Sequence, residues 1–144
     1  MNIMVINGPN LNLLGVREPD IYGKETFQDL LALLERTGVE ENLQISQFQS
    51  NHEGAIVDAI QSCLGTVDAI IINPAAYTHT SIAILDALKA VQLPAVEVHI
   101  SQVNEREPFR QISYPGMYCE MTIQGQGLNG YRQAILYLKE KYGK

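Results

Sequence analysis

Hydrophobic and polar positions follow two rhythms along this chain. The unbroken apolar runs Ile3-Met4-Val5-Ile6 and Ala69-Ile70-Ile71-Ile72 read as strands covered on both faces, and hence as central strands of a sheet. Leu43, Ile45 and Phe48 fall among Gln44, Ser46 and Gln47 in looser alternation, which predicts a strand with one wetter face near an edge. Ala95-Val96-Glu97-Val98 and Met121-Thr122-Ile123 supply two more strands. Between these runs the period changes to that of a helix. Phe27, Leu30, Leu31 and Leu34 follow Thr26, with Asp29 as its capping-box partner and Gly38 as the expected stop. Ile56, Ala59, Ile60, Cys63 and Leu64 form a second helical face that ends at Gly65. Ser81 caps a third helix bearing Ile82, Leu85 and Leu88 before Pro94. Tyr131, Ala134, Ile135 and Leu138 give a fourth helix a core face. Strands alternating with helices predict an α/β fold, an open five-stranded parallel sheet with helices on both faces.

No repeat or linker interrupts this order, so residues 1–144 are expected to form one domain. Residues 8–23 are the exception, a stretch without period that contains Pro9, Gly15, Pro19 and Gly23. A loop of that length inside a compact domain is usually a lid or binding loop, and an active-site lid is expected at about 11–24.

Composition narrows the function by exclusion. A net charge of -6, with no Lys or Arg between Arg36 and Lys89, argues against nucleic acid as a partner, because phosphate binding needs clustered cations. No apolar run reaches the roughly 18 residues of a membrane span. Met1 leads almost at once into a strand, so no signal peptide and a cytoplasmic location are expected. Cys63 and Cys119 have no Cys-x-x-Cys spacing and read as reduced core thiols. His52, His79 and His99 form no ligand cluster, so no metal is expected. Gly125, Gly127 and Gly130 spell a G-x-G-x-x-G, but the residues from Gly130 to Lys144 hold no second strand and no acidic ribose ligand. These glycines are expected to serve a tight turn and close helix packing instead.

Polar residues collect where the chemistry of such a sheet belongs, beyond the carboxyl ends of the strands. Strand one runs into Asn7 and Asn10, strand two into Gln49, Ser50 and Asn51, strand three into Asn73, and strand four into His99 and Ser101. Any one of these is an ordinary loop residue; the four ends together are harder to set aside. Arg17 and Tyr22 lie in the first loop, and Arg106 and Arg110 follow Ser101. Arginine's fixed fork suits a small, oxygen-rich anion. For Arg106 the solvated reading, pairing with Glu105 or Glu107, is preferred; for Arg110 the two readings stand level.

Long ordered blocks carry a resemblance. Asn7-Gly8-Pro9-Asn10-Leu11-Asn12-Leu13-Leu14-Gly15, Arg17-Glu18-Pro19 and Tyr22-Gly23 resemble the opening of the type II 3-dehydroquinate dehydratases. Gln49-Ser50-Asn51-His52-Glu53-Gly54, then Asn73-Pro74-Ala75-Ala76-Tyr77-Thr78-His79-Thr80-Ser81 with Asp86-Ala87-Leu88, resemble that family's second and third blocks. Glu97-Val98-His99-Ile100-Ser101 with Arg106-Glu107-Pro108-Phe109-Arg110 resembles its fourth. Gln102, Asn104 and residues 117–121 depart from the usual pattern.

The resemblance implies a flavodoxin-like fold and a lyase that turns 3-dehydroquinate into 3-dehydroshikimate and water by anti elimination through an enolate. It implies no cofactor, metal or Schiff base, and service in the shikimate pathway of aromatic amino acid biosynthesis or in quinate breakdown. By the same resemblance Tyr22 is the base, Arg17 lowers its pKa, Asn10 holds the water that bonds the enolate, His99 is the acid and Glu97 orients it. Ile100 and Ser101 would take the substrate carboxylate through their backbone N–H groups, and Asn73, His79 and Arg110 the ring hydroxyls. Asp86 would come from a neighbouring subunit of a homo-oligomer, trimers assembling into a dodecamer. Two other readings compete: a flavodoxin-like module that holds a phosphate or flavin without catalysis, and an inactive assembly subunit. An Asn- and Leu-rich first loop is a poor phosphate cradle, and Arg17, Tyr22 and His99 are all present.

Overall fold

The computed structural model describes residues 1–16, 20 and 24–143, and Arg17 and Tyr22 lie outside them. All five predicted strands form: β1 (Asn2–Asn7), β2 (Gln44–Gln49), β3 (Ala69–Asn73), β4 (Ala95–His99) and β5 (Met121–Gln124). They pair in parallel in the order β2-β1-β3-β4-β5, the doubly wound flavodoxin order, with its switch point between β1 and β3. β3 and β4 are buried along their whole lengths, while β2 is a partly exposed edge strand. Helices α1 (Phe27–Glu41), α2 (Glu53–Ser62), α3 (Ile82–Val91) and α4 (Asn129–Tyr142) cover the two faces.

Alternation along each strand splits the core in two. Ile3, Val5, Ile71, Val96 and Val98 pack with Leu30, Leu34, Tyr131 and Leu138 of α1 and α4. Ile6, Ile70 and Ile72 point the other way, onto Ile56, Ile60, Ile84 and Leu88 of α2 and α3. Thr26 and Asp29 close the expected capping box, and Ser81 Oγ accepts from Ile84 N at 2.9 Å.

Gly38 does not stop α1. The helix runs on to Glu41 and ends on Asn42 in the left-handed region, at φ 57°. Gly38 is there for space: a Cβ on it would sit 3.0 Å from Ile45 Cγ1 and 3.2 Å from the Leu43 carbonyl, where β2 crosses the helix. Residues 8–23 are also less bare than their sequence suggests. Leu11–Leu13 form a 3-10 turn, and Leu11 and Leu14 are buried in the core. Any lid thus starts from an anchored turn. Cys63 is free and fully buried, and burial pushes its thiol up to about 11. No described helix is long and apolar enough to cross a membrane.

The switch point is tied by one aromatic hydroxyl. Tyr131 of α4 is fully buried; its OH donates to Asn7 Oδ1 at 2.6 Å and accepts from Asn73 Nδ2 at 2.9 Å. Asn7 and Asn73 are register partners at the ends of β1 and β3. Tyr131→Phe leaves both amides short of a partner without changing volume, so it is expected to cost about 1–3 kcal/mol, read as a lower midpoint in urea. An unchanged midpoint would mean that the hydroxyl does not stabilise this junction.

Candidate active site

Beyond the carboxyl ends of β1, β3 and β4 lies a cavity of about 260 Å³. That is small even for a drug-sized ligand, whose sites begin near ~300 Å³. Asn10, Asn73, His79, His99, Ile100, Ser101 and Arg110 all line it, so seven of the residues singled out in the sequence meet in one place.

Each is held by local structure. Asn10 adopts the left-handed conformation at φ 69°, which asparagine tolerates better than most residues, and its backbone N donates to Asn51 Oδ1 at 2.9 Å. Asn73 Oδ1 accepts from Ala75 N at 3.1 Å, which fixes the amide that Tyr131 also holds. His79 Nδ1 sits 2.8 Å from the Ile112 carbonyl; since a carbonyl only accepts, the proton is on Nδ1, and Nε2 is left as an acceptor. Burial lowers the His79 pKa, with help from the nearby His99 and Arg110, against the opposing pull of the Ile112 bond. His79 is therefore neutral at pH 7.

Glu97 and His99 lie two apart on β4 and so on the same face of the sheet. His99 Nε2 donates to Glu97 Oε2 at 2.8 Å, and Glu97 has no exposed surface. Burial alone would raise the Glu97 pKa; bonds from His99, Ser113 and Thr122 outweigh it and hold the carboxyl below its ordinary value. With Nε2 committed, Nδ1 is the ring nitrogen left for a ligand.

Gly125 and Gly127, at φ 77° and 59°, make a turn that only glycine adopts without strain. Their N–H groups bond the carbonyls of Ser101 and Ile100 at 3.1 and 3.2 Å. Among the described residues neither the Ile100 nor the Ser101 N–H meets a backbone acceptor. Gly130 lies against Val98 and Ile123, the close helix packing expected of this motif.

Glu107 pairs with Arg110 Nε, and Arg106 joins the cavity wall. Asp86 is exposed on α3 and is not part of this cavity. Ser113 and Thr122, which bond Glu97, carried no signal of their own. Thr122 is the register partner of Glu97, a relation that appears only once β4 and β5 are known to be neighbours. Among the described residues no group of three or more His, Cys, Asp or Glu is placed to hold a metal ion.

Known proteins similar to this chain are consistent in kind. The family described as dehydroquinase class II matches residues 1–139. A 3-dehydroquinate dehydratase of Lachnoclostridium phytofermentans is 54% identical over 136 residues, which cover 94% of each chain. One from Campylobacter jejuni is 53% identical over 136 residues, 94% of this chain and 86% of its own. The crystal structure of a type II dehydroquinase from Butyrivibrio crossotus superposes with a TM-score of 0.95 at 51% identity, covering 96% of this chain and 97% of that one. Matching sequence over nearly its whole length and a matching fold place this chain in one family: it belongs to the class II dehydroquinases, and it is an enzyme.

Proposed function

We propose that this enzyme converts 3-dehydroquinate to 3-dehydroshikimate and water by anti elimination through an enolate, without metal or Schiff base. The observation that carries the reading is the buried Glu97–His99 pair, which leaves a single imidazole nitrogen for a cavity also lined by Asn10, Asn73, His79, Ile100, Ser101 and Arg110. Tyr22, assisted by Arg17, removes the proton next to the ketone. A water held at Asn10 bonds the enolate oxygen, and His99 protonates the departing hydroxyl. Ile100 and Ser101 amides receive the carboxylate, while Asn73, His79 and Arg110 receive ring hydroxyls. Neutral His79 can accept a hydroxyl proton at Nε2, which an imidazolium could not.

The segment at about 11–24 covers the bound substrate in this reading, hinged beyond the anchored Leu14. Asp86, exposed on α3 near the exposed Ile82, completes the cavity of another subunit in a trimer, and trimers build the dodecamer. The free thiols suit a reducing compartment, and we place the enzyme in the cytoplasm.

Turnover is read from the ultraviolet absorbance of the conjugated product. Activity is expected to survive both exhaustive chelation and borohydride treatment in the presence of substrate, because no lysine falls in the motif blocks at the strand ends. Irreversible inactivation by borohydride would reveal an imine and overturn the mechanism; no turnover at all would overturn the substrate.

A further inference from the structure

The Glu97 carboxylate carries more than its histidine. Oε2 accepts from Ser113 Oγ at 2.6 Å beside the His99 bond, and Oε1 accepts from Thr122 Oγ1 at 2.8 Å. Neither hydroxyl is placed by chance. Thr122 stands opposite Glu97 in the β4–β5 register. Ser113 Oγ accepts from Gly116 N at 2.9 Å, which occupies a lone pair and leaves the hydroxyl proton for the carboxylate. Gly116 lies so close that a Cβ on it would be 2.7 Å from both Glu97 Oε1 and Ser113 Oγ. All four residues, with His99, line a second lobe of about 340 Å³ that also meets His79 and Arg110.

Building on the reading of His99 as the acid, we propose that Ser113, Thr122 and Gly116 form a cradle that positions Glu97 and, through it, fixes which nitrogen His99 turns to the substrate. A carboxylate with donors on both oxygens cannot rotate without breaking one of them. The imidazole it holds therefore keeps its proton on Nε2 and presents Nδ1. A buried carboxylate stripped of the two hydroxyls would be driven toward its neutral form by desolvation, and a neutral acid gives an imidazolium little support. The proposal makes Ser113 and Thr122 positioning residues, which touch the acid's partner and not the substrate.

The pair feels other groups: His79 from the turn after β3, Arg106 and Arg110 from the segment after β4, and Cys119 near Glu97. These stay constant in the following series. Ser113→Ala and Thr122→Val are each expected to lower kcat by about 10-fold, and the double variant by about 100-fold, with KM within about 3-fold. The acidic limb of the kcat–pH profile moves to higher pH, because Glu97 loses two of the bonds that hold its carboxyl below its ordinary value. Thr122→Ser keeps the hydroxyl and the parent profile. Nitrogen-15 spectra of the free enzyme's imidazole show one neutral tautomer, with Nε2–H, in the parent and a mixture in the double variant. Should the double variant not fold, the Thr122→Val and Thr122→Ser pair reads the same contrast. Parent-like kcat, pH profile and tautomer in a folded Thr122→Val would overturn the cradle, as would a change confined to KM. The spectra need no substrate, so absence of turnover would defeat the proposed function and leave the cradle standing or falling on its tautomer.

Discussion

Replacing Tyr22 with Phe is expected to lower kcat by about 10²- to 10⁴-fold, the range lost when a general base is removed, while substrate affinity hardly changes. The argument is a matter of what one oxygen does. A tyrosine titrates near 10, so ionisation at pH 7 requires a shift of about 3 units, or about 4 kcal/mol. A guanidinium about 4 Å away, at an effective dielectric of about 20, supplies about that amount before desolvation is subtracted. Under the proposed mechanism Arg17 is thus barely sufficient, and exclusion of water around bound substrate would strengthen the attraction. Arg17→Ala should accordingly reduce kcat at neutral pH by leaving the phenol protonated, and part of the loss should return as pH rises toward the phenol's own value. Tyr22→Phe should recover nothing at any pH. Steady-state rates of both variants from pH 6 to 10 check the pair; a Tyr22→Phe variant within a few-fold of the parent would transfer the role of base to another group.

Much of this site is legible in the sequence because the sheet converts sequence order into place. Apolar runs set the strands, and strand ends in a parallel sheet share one rim, so the order of the chain alone gathers Asn10, Asn73, His99, Ile100 and Ser101. What stays illegible depends on neighbours distant in sequence. Thr122 becomes a partner of Glu97 only through the pairing of β4 with β5, and the hydroxyl of Tyr131 meets Asn7 only across the sheet. Gly38 misleads for a related reason: glycine ends many helices, but here it makes room for Ile45, a contact that local pattern does not contain. Periodicity also cannot see Leu11 and Leu14 as anchors, since two core contacts in a short 3-10 turn set up no repeat.

Replacing His99 with Ala is expected to cost a similar 10²- to 10⁴-fold in kcat, but to stop the reaction at a different point. In a stepwise elimination the base acts first and the acid second. On the proposed mechanism, Tyr22 would still remove the proton next to the ketone without His99 and the enolate would still form, yet the hydroxyl would have no donor and would leave slowly. The enolate then returns to substrate more often than it goes forward, so in deuterium oxide the carbon next to the ketone should exchange faster than product appears. Tyr22→Phe, which never forms the enolate, should show neither exchange nor product. Proton magnetic resonance of recovered substrate measures both rates at once, and exchange no faster than turnover in His99→Ala would assign the first step, not the second, to His99. Glu97→Gln should cost less in kcat than His99→Ala, because it keeps the imidazole while weakening its orientation and charge. It should also change stability with pH in a defined sense. The folded Glu97 carboxyl titrates below its unfolded value of about 4.3, so its contribution is complete above that value and fades as pH falls through the lower, folded one. Glu97→Gln never has that contribution to lose. Thermal midpoints taken from pH 7 down to pH 3 should therefore converge for the parent and Glu97→Gln in acid and separate toward neutrality; a constant gap across the range would mean that Glu97 is not ionised in the folded enzyme.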